Sequence, residues 1–367
     1  MKRLAQRALS PEGYARLKNR RRRFERALAV WFSANGMTAS LYYLFHDAFR
    51  REQHATLAGK RQYYADVTKK FDTNAKLRRD VHRIEKGLIS QPRRDVFATS
   101  YITSTLDVFA AAVRAHDGVI AATGELRWAH DVLHAYFEAV ASHPKVDAAR
   151  DAFHTVMRTA SLAPRSEAAA PAPRGEVTPP PVTPEAFTAL TKRRRSVRWF
   201  LDEPVPRDAL DQALLAAGQS PSACNRLPYR FLVYDEPELV QRVATLPFGT
   251  KGFEHNFPVI VVLVGSLAAF FSERDRHVPY IDASLAAMSF MLALETHGLS
   301  SVPINWPDVE ERERRIRHLL GLESHERTIM MMAVGYADPR GGVPASEKRT
   351  LDQLRQYNHA PGTQDES

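Results

Sequence analysis

The chain has a single cysteine, Cys224, among its 367 residues. One thiol excludes an intramolecular disulfide and any zinc site built mainly from cysteine. Long uncharged stretches are also few, and residues 27–45 form one that reaches the length of a membrane span. The composition, 25% charged and 44% hydrophobic, excludes a chain that is disordered throughout. A folded protein of about two domains is therefore expected from its length.

The uncharged stretch at residues 27–45 follows a cluster of arginines at residues 20–23 and Arg26. It permits a membrane span, an interfacial helix lying on a membrane, or a buried pair of helices. Polar residues in its middle, among them Asn35 and Gly36, favour the buried pair, with the break near these two residues. Residues 1–7 are basic, but no apolar core follows them promptly. We therefore expect no signal peptide and a cytoplasmic protein, with membrane association as the alternative.

The basic excess lies in the first part of the chain. Residues 1–160 contain 28 basic and 16 acidic residues, whereas the remainder contains 23 and 26. This asymmetry permits an anionic membrane surface or a protein partner for the basic region, or only a solvated basic face. No zinc or RNA-recognition motif is present, so nucleic-acid binding is not favoured.

Proline divides the chain. Residues 161–184 contain seven prolines and an alanine run, and they predict a semi-extended linker without packed helix or sheet. Residues 1–160 have the spacing of a helical domain of unknown role, and residues 356–367 form a polar tail. Leu77, Val81, Ile84 and Leu88 share one face of a helix.

Residues 185–355 alternate between helix and strand patterns, which predicts a layered α/β or α+β domain. Helices are predicted at residues 185–194, 208–217, 282–297 and 308–320. Strands are predicted at residues 230–234, 258–265, 301–305 and 328–336. The run at 258–265, PVIVVLVG, is continuously apolar, which is typical of a strand buried on both faces.

Four segments of this part carry chemical signals. Residues 192–200 (KRRRSVRWF) crowd arginines at the end of a helix, and guanidinium groups match phosphate oxygens. Residues 220–231 (SPSACNRLPYRF) form a small-residue loop that leads into a strand. Residues 298–306 (GLSSVPINW) are expected to turn sharply at Pro303. Residues 334–339 (VGYADP) leave a strand and lead to the basic pair at 348–349.

In this order and at these distances, the segments resemble the nitroreductase family of flavoproteins over residues 185–355. The resemblance implies an α+β fold in which helices sandwich a mixed sheet, here preceded by an all-helical N-terminal domain. It also implies a homodimer with FMN at the subunit interface and NADH or NADPH as the reductant. The implied activity is hydride transfer through FMN to an electron-poor organic substrate. No catalytic side chain beyond the flavin is implied, and no metal site is expected.

The resemblance also implies which residues bind FMN. The phosphate and ribityl chain would contact Arg194, Arg195, Ser196 and Arg198, and the loop that reaches the partner's flavin would be Pro221, Ser222, Ala223 and Asn225. The turn beside the ring would be Pro303, Ile304 and Asn305, with a second basic cluster at Lys348 and Arg349. Lys251 would approach the pyrimidine edge, where a cation stabilises reduced flavin.

The chain departs from the family pattern at Leu227, Tyr229 and Trp306, which we expect to touch the substrate pocket. These departures leave a second hypothesis open. It is a flavin-fold binding or scaffolding protein without turnover, linked to polysaccharide biosynthesis or to a membrane surface. Cys224 is expected to be a small buried filler. His46 and His54 are expected on one helix, too weak a pattern for a metal site.

Overall fold

The computed structural model describes residues 10–69, 74–176 and 178–358. The predictions made for residues 1–7 and for the end of the tail, 359–367, lie outside these residues. In the N-terminal half the helices are α1 (Pro11–Phe32), α2 (Gly36–Phe45), α3 (Arg50–Lys69), α4 (Ala75–Leu88), α5 (Ile102–Ala115), α6 (Glu125–Ala139) and α7 (Pro144–Thr159). Two short strands, β1 (Val119–Ile120) and β2 (Ser161–Leu162), flank the last two of these helices.

The C-terminal half alternates helices with the strands of one sheet. Its helices are α8 (Pro184–Arg193), α9 (Arg207–Ala217), α10 (Pro237–Ala244), α11 (Val278–Thr296), α12 (Glu310–Leu320) and α13 (Leu351–Leu354). Its strands are β3 (Tyr229–Tyr234), β4 (Val259–Ser266), β5 (Ser300–Asn305) and β6 (Glu326–Gly335). Each helix and strand predicted for this half is confirmed to within a few residues at its ends.

The sheet has the strand order β3-β4-β6-β5, and each of these pairs is antiparallel. A parallel contact is added at the β5 edge, where Ser196 forms an isolated bridge with Ser301. The two central strands, β4 and β6, are the most apolar, because they are covered on both faces. The arginine segment therefore meets the sheet at the edge strand β5.

Alternate residues of β4 enter two different cores, which confirms the prediction for this run. Ile260, Val262 and Val264 pack against α10 and α12, whereas Val259, Val261 and Leu263 pack against α9 and α11. The fold is thus a sheet between two helical layers, as predicted.

Helices α4 to α7 form a separate apolar core in the N-terminal half. Leu77, Val81 and Ile84 are buried in it, and Leu88 packs against its edge. The apolar face predicted for this helix is confirmed. Phe109 and Phe153 supply the aromatic contact between α5 and α7, with ring centroids 5.9 Å apart.

Helix α3 does not join this helical core but packs on the C-terminal half. Gly59 lies so close to Leu267 that an added Cβ would come within 2.6 Å of the leucine Cβ. Ion pairs flank this contact. Lys60 Nζ lies 2.9 Å from Glu273 Oε1, and Arg51 pairs with Asp308 and Glu310. The two halves of the chain are therefore joined through α3.

The prediction that residues 161–184 contain neither packed helix nor sheet is wrong at the start of this segment. Strand β2 pairs in parallel with β1, so a short strand pair forms where we expected helix and linker only. Arg127 donates to the Ala163 carbonyl at 2.6 Å, and Ala169 N–H donates to Asp131 at 2.7 Å. Burial alone would raise the pKa of Asp131, but the hydrogen bonds from the Ala169 N–H, His130 and Arg127 outweigh it and lower the pKa. Residues 161–169 therefore belong with the helical core.

The stretch at residues 27–45 is the second correction. It forms two helices that separate at Ser33–Asn35, near the predicted break, but none of the residues in α2 is buried. Asn35 explains the break, because its side chain accepts from the N–H groups of Met37 and Thr38 and so begins α2. His46 follows α2 whereas His54 lies in α3, so the two histidines do not share a helix.

Among the described residues, one helical stretch, Glu273–Thr296, is long and apolar enough to cross a membrane by length and composition. Its most apolar window is 44% buried within the molecule. It contains α11, which packs on the sheet, and core helices share this composition.

Candidate functional site

The arginine segment runs along the edge of the sheet. Helix α8 ends at Arg194, whose backbone N–H donates to the Leu190 carbonyl at 3.0 Å. The chain then extends, and Val197 N–H donates to the Ser301 carbonyl at 3.1 Å, beside the Ser196–Ser301 bridge. Arg194, Arg195 and Ser196 are thereby held against β5.

Two polar atoms beside this bridge are buried and lack a hydrogen-bond partner. They are Arg194 Nε and Ser301 Oγ. Buried polar groups in proteins are nearly always paired, and leaving one unpaired costs about 1–3 kcal/mol. Unpaired donors on both sides of one bridge therefore indicate a place for an external acceptor.

The segment that precedes the C-terminal basic pair contacts the arginine segment. The guanidinium of Arg195 donates to the carbonyl of Pro344 at 2.7 Å and also to that of Ala345. Lys348 and Arg349 follow within a few residues and are exposed. Arg195 thus lies against residues 344–345, which are far from it in sequence and lead to this basic pair.

The predicted sharp turn at Pro303 is wrong. Pro303, Ile304 and Asn305 lie in β5 and pair with Met332, Met331 and Met330 of β6. Proline is accepted there because β5 is an edge strand, which needs hydrogen bonds on one side only. Ile304 is buried whereas Pro303 and Asn305 are exposed, so the strand presents alternate residues outward.

Helix α11 carries two formally charged residues, Asp282 and Glu295, and both are buried. Glu295 lies behind the arginine segment, with its Oε2 3.2 Å from Arg193 Nε and its Oε1 3.4 Å from Ser300 Oγ. Burial raises the pKa of this carboxyl above its ordinary value of 4.5, although the nearby arginines oppose the shift. The sequence analysis did not identify either acid. The signal that could have identified them is the presence of two charged residues in an otherwise apolar helix.

Asp282 holds the small-residue loop. Its Oδ2 accepts from Ser222 Oγ at 2.7 Å and from the Ala223 N–H at 3.0 Å. Ser222 Oγ in turn accepts from the Leu227 N–H at 2.8 Å. The loop is closed on itself and on α11, which fixes how Pro221, Ser222, Ala223 and Asn225 are presented.

This loop has an unusual backbone. Cys224, Asn225 and Leu227 all have positive φ, at 54°, 50° and 48°. Residues with a Cβ rarely adopt this conformation, and it is concentrated at functional sites. Cys224 is half-buried rather than a buried filler, which corrects that expectation.

The helical core reaches this loop through α4. Arg78 Nε donates to the Asn225 carbonyl at 2.5 Å, and its Nη1 lies 3.0 Å from Glu125 Oε2. The guanidinium also lies 5.3 Å from the ring centre of Trp128. The motif at residues 77–88 therefore supports a predicted cofactor loop, a role that the sequence did not indicate.

Two further cations predicted to bind FMN are Arg198, near the end of the arginine segment, and Lys251. The Arg198 guanidinium lies 5.9 Å from the ring centre of Phe253, and its carbonyl accepts from Asn256 Nδ2 at 3.1 Å. Lys251 is exposed in the turn just before Phe253. The structure thus places Arg198 at the Phe253 ring, and Lys251 lies two residues before that ring in the sequence.

The three departures from the family pattern have different surroundings. Trp306 is buried in the sheet core and donates to Glu313 at 2.5 Å, so its expected place in a substrate pocket is wrong. Tyr229 has a buried hydroxyl without a partner, and burial raises its pKa. Leu227 belongs to the strained loop. The described residues contain no cluster of three or more His, Cys, Asp or Glu side chains placed to hold a metal ion.

Comparison with known proteins finds sequences and structures that are similar to the C-terminal half of the chain. A model described as the nitroreductase family matches residues 191–250 and 245–336. An NADH dehydrogenase of Thermus thermophilus is 30% identical over 188 residues, covering 43% of this chain and 89% of that protein. The Iodotyrosine deiodinase of Thermotoga neapolitana is 32% identical over 179 residues, covering 43% and 92%.

The mammalian relatives and the solved structures match the same part of the chain. Iodotyrosine deiodinase 1 of Rattus norvegicus is 26% identical over 201 residues, covering 46% of this chain and 68% of that protein. An FMN-dependent nitroreductase from Clostridium difficile is 25% identical, with a TM-score of 0.37, and covers 48% of this chain and 98% of that one. These matches leave about half of the chain without a counterpart.

Proposed function

The chain belongs to the nitroreductase family of oxidoreductases, and on that premise we propose that it is an FMN-dependent enzyme. It takes a hydride from NADH or NADPH and delivers it to an electron-poor organic acceptor. We also propose that the protein is cytoplasmic.

The observation that carries the proposal is the pair of unpaired buried polar atoms at the β5 edge, Arg194 Nε and Ser301 Oγ. They flank Ser196, and Arg195 lies beside the segment that leads to Lys348 and Arg349. Guanidinium and hydroxyl donors of this kind suit the oxygens of a phosphate monoester. The residues present therefore fit the phosphate end of FMN.

FMN would supply the two-electron hydride chemistry, so the chain's own residues would bind and orient FMN and the acceptor. Arg194 and Arg195 would neutralise the phosphate, and Ser196 would donate a hydrogen bond to it. The exposed Pro303 and Asn305 would flank the ring along β5. Arg198 and Lys251 would add positive charge near it, which favours its reduced, anionic form. The loop held by Asp282 would shape the acceptor's side.

We further propose a homodimer in which this loop meets the partner's FMN. Helix α11 leaves Ile281, Leu285 and Met288 exposed at spacings of four and three residues, which form one continuous face. Leu215 of α9 is exposed as well. An apolar stripe on a core helix is typical of an interface between subunits.

The test is the visible absorption spectrum of the purified protein under anaerobic conditions, before and after NADH or NADPH. We expect a flavin spectrum that bleaches with one of them. Arg194→Gln should weaken FMN binding at least tenfold, whereas Arg274→Gln, an exposed arginine elsewhere, should not. Protein that takes up no FMN would refute the assignment, and flavin that resists both reductants would favour the binding or scaffolding role.

A second activity, reductive deiodination, is favoured by the relatives named iodotyrosine deiodinase. In that reaction a C–I bond is replaced by C–H, which consumes two electrons and a proton and releases iodide. Turnover assays with a nitroaromatic compound and with iodotyrosine, each followed by oxidation of the reduced protein, distinguish the two acceptors. Iodide release with iodotyrosine would favour the second activity.

A further inference from the structure

Helices α1 and α2 form a hairpin that is separate from both cores; we call it the α1–α2 hairpin, residues 11–45. Its internal contacts are few. The rings of Phe32 and Tyr42 lie 5.6 Å apart, and Thr38 Oγ1 donates to the Phe32 carbonyl at 2.9 Å. None of the α2 residues is buried. The hairpin therefore turns most of its surface away from the rest of the chain.

The hairpin exposes several large apolar side chains. Trp31, Met37 and Phe45 are 80%, 84% and 81% exposed. Met37, Leu41 and Leu44 follow one another at spacings of four and three, so they share one face of α2, and all are exposed. Large contiguous apolar patches are rare on soluble proteins and indicate a surface that binds something.

Positive charge is concentrated on α1, the other helix of the hairpin. The 22 residues of α1 include seven basic and two acidic side chains. Residues 20–23 are four consecutive arginines, which occupy a full helical turn. Of these, Arg21 pairs with Glu25 at 2.7 Å. Arg50 follows the hairpin on its other side and is exposed.

Apolar residues next to concentrated arginine match the two layers of an anionic bilayer surface. Apolar side chains enter the boundary of the acyl chains, Trp and Tyr lie at the level of the headgroups, and arginines meet anionic lipid phosphates. A protein partner would have to desolvate a whole turn of arginines and supply matching acids. The 10-residue α2 is too short to span.

We propose that the α1–α2 hairpin docks this protein on an anionic membrane surface, with Trp31, Met37 and Phe45 inserted at the interface and the arginines on the headgroups. The proposal does not rest on the flavin assignment. None of the residues that it uses belongs to β5 or to α11.

The test is sedimentation of the full-length protein with vesicles of phosphatidylcholine alone or mixed with phosphatidylserine. We expect binding to the mixed vesicles that weakens as salt is raised, because exposed charges are screened. A charge variant, Arg20→Gln/Arg22→Gln/Arg23→Gln, and an apolar variant, Trp31→Ser/Phe45→Ser, should each reduce the bound fraction at least tenfold.

The matched control is Leu57→Ser, which removes an exposed leucine from α3 outside the hairpin and should bind like the parent protein. Every variant replaces exposed side chains, and its folding is checked by circular dichroism. Equal binding to both vesicle types, or none, would overturn the proposal. So would a variant that sediments normally with vesicles but changes the oligomeric mass, since a second copy of the chain would then cover the hairpin.

Discussion

Glu295 is a carboxylate that the fold buries behind the arginine segment, and its raised pKa predicts a dependence of stability on pH. A raised pKa means that the folded state binds the proton more tightly than the unfolded chain does. The stabilisation from protonation is therefore complete below the ordinary value of 4.5 and is lost as the pH rises through the higher pKa of the folded state.

Glu295→Gln should therefore raise Tm at neutral pH, because glutamine keeps the shape of the protonated acid. The gain should shrink as the pH falls toward 4.5. Thermal unfolding of both proteins across this range measures the difference. Glu238→Gln, on an exposed side chain of α10, is the control and should change little. A gain that did not vary with pH would contradict the assignment of burial as the cause.

Asp282 positions the small-residue loop through one oxygen, which accepts from both Ser222 and Ala223. Asp282→Asn weakens both hydrogen bonds by removing the charge, so we expect a loss of about 1–3 kcal/mol in the free energy of unfolding. The affinity for FMN should fall with it. Denaturant unfolding and flavin fluorescence titration measure the two effects.

Asp211→Asn is the matched control for Asp282, since Asp211 is exposed on the neighbouring α9. It should leave both quantities within error of the parent protein. If Asp282→Asn behaved in the same way, the loop would not depend on this carboxylate.

At the scale of elements, the docking of α3 depends on a glycine. Alanine is favoured over glycine within helices by about 1 kcal/mol, so propensity alone predicts that Gly59→Ala stabilises. A Cβ at this position, however, would lie 2.7 Å from the carbonyl carbon of Leu267, and backbone cannot easily move away. We therefore expect a lower Tm.

Differential scanning calorimetry of Gly59→Ala tests this expectation. Gly36→Ala, at the start of α2, is the matched control because a Cβ there meets nothing within 4 Å. An equal rise in Tm for both variants would mean that α3 is not packed against Leu267.

The elements of the C-terminal half could be predicted because local pattern decides them. The runs that became β4 and β6 are apolar on both faces, and no exposed strand or amphipathic helix has that pattern. Pro303 misled the prediction, since proline signals a turn unless the strand is known to lie at an edge. Edge position is a property of the sheet, which the local sequence does not contain.

Some features of the candidate site could be predicted from the sequence, whereas others could not. Arg194 and Ser196 belong to a motif and could be identified from the sequence. That Arg194 Nε and Ser301 Oγ lack partners is visible only in the structure. The contact from Arg78 to Asn225 joins residues 147 positions apart. Long-range pairing of this kind leaves no periodicity in the sequence.

For the whole molecule, the exposed face of α11 predicts how subunits associate. Leu285→Arg puts a charge in the middle of the stripe formed by Ile281, Leu285 and Met288, and burying an unpaired charge is strongly unfavourable. We expect the proposed dimer to become a monomer and to retain less FMN. Light scattering measures the mass, and Leu57→Arg is the control. A dimer that persists would place the interface elsewhere.

Residues 161–169 are attached to the helical core. The connection between the two halves therefore begins after residue 169 and ends before Thr183. What joins the halves is instead the non-covalent contact of α3 with Leu267, the ion pairs of Arg51 and Lys60, and the Arg78–Asn225 bond. A protease that nicks the exposed proline stretch should thus give two fragments that co-elute on gel filtration. The peptide connection then acts as a tether that raises the local concentration of each half, and the protein is a natural candidate for reconstitution from two separately expressed pieces.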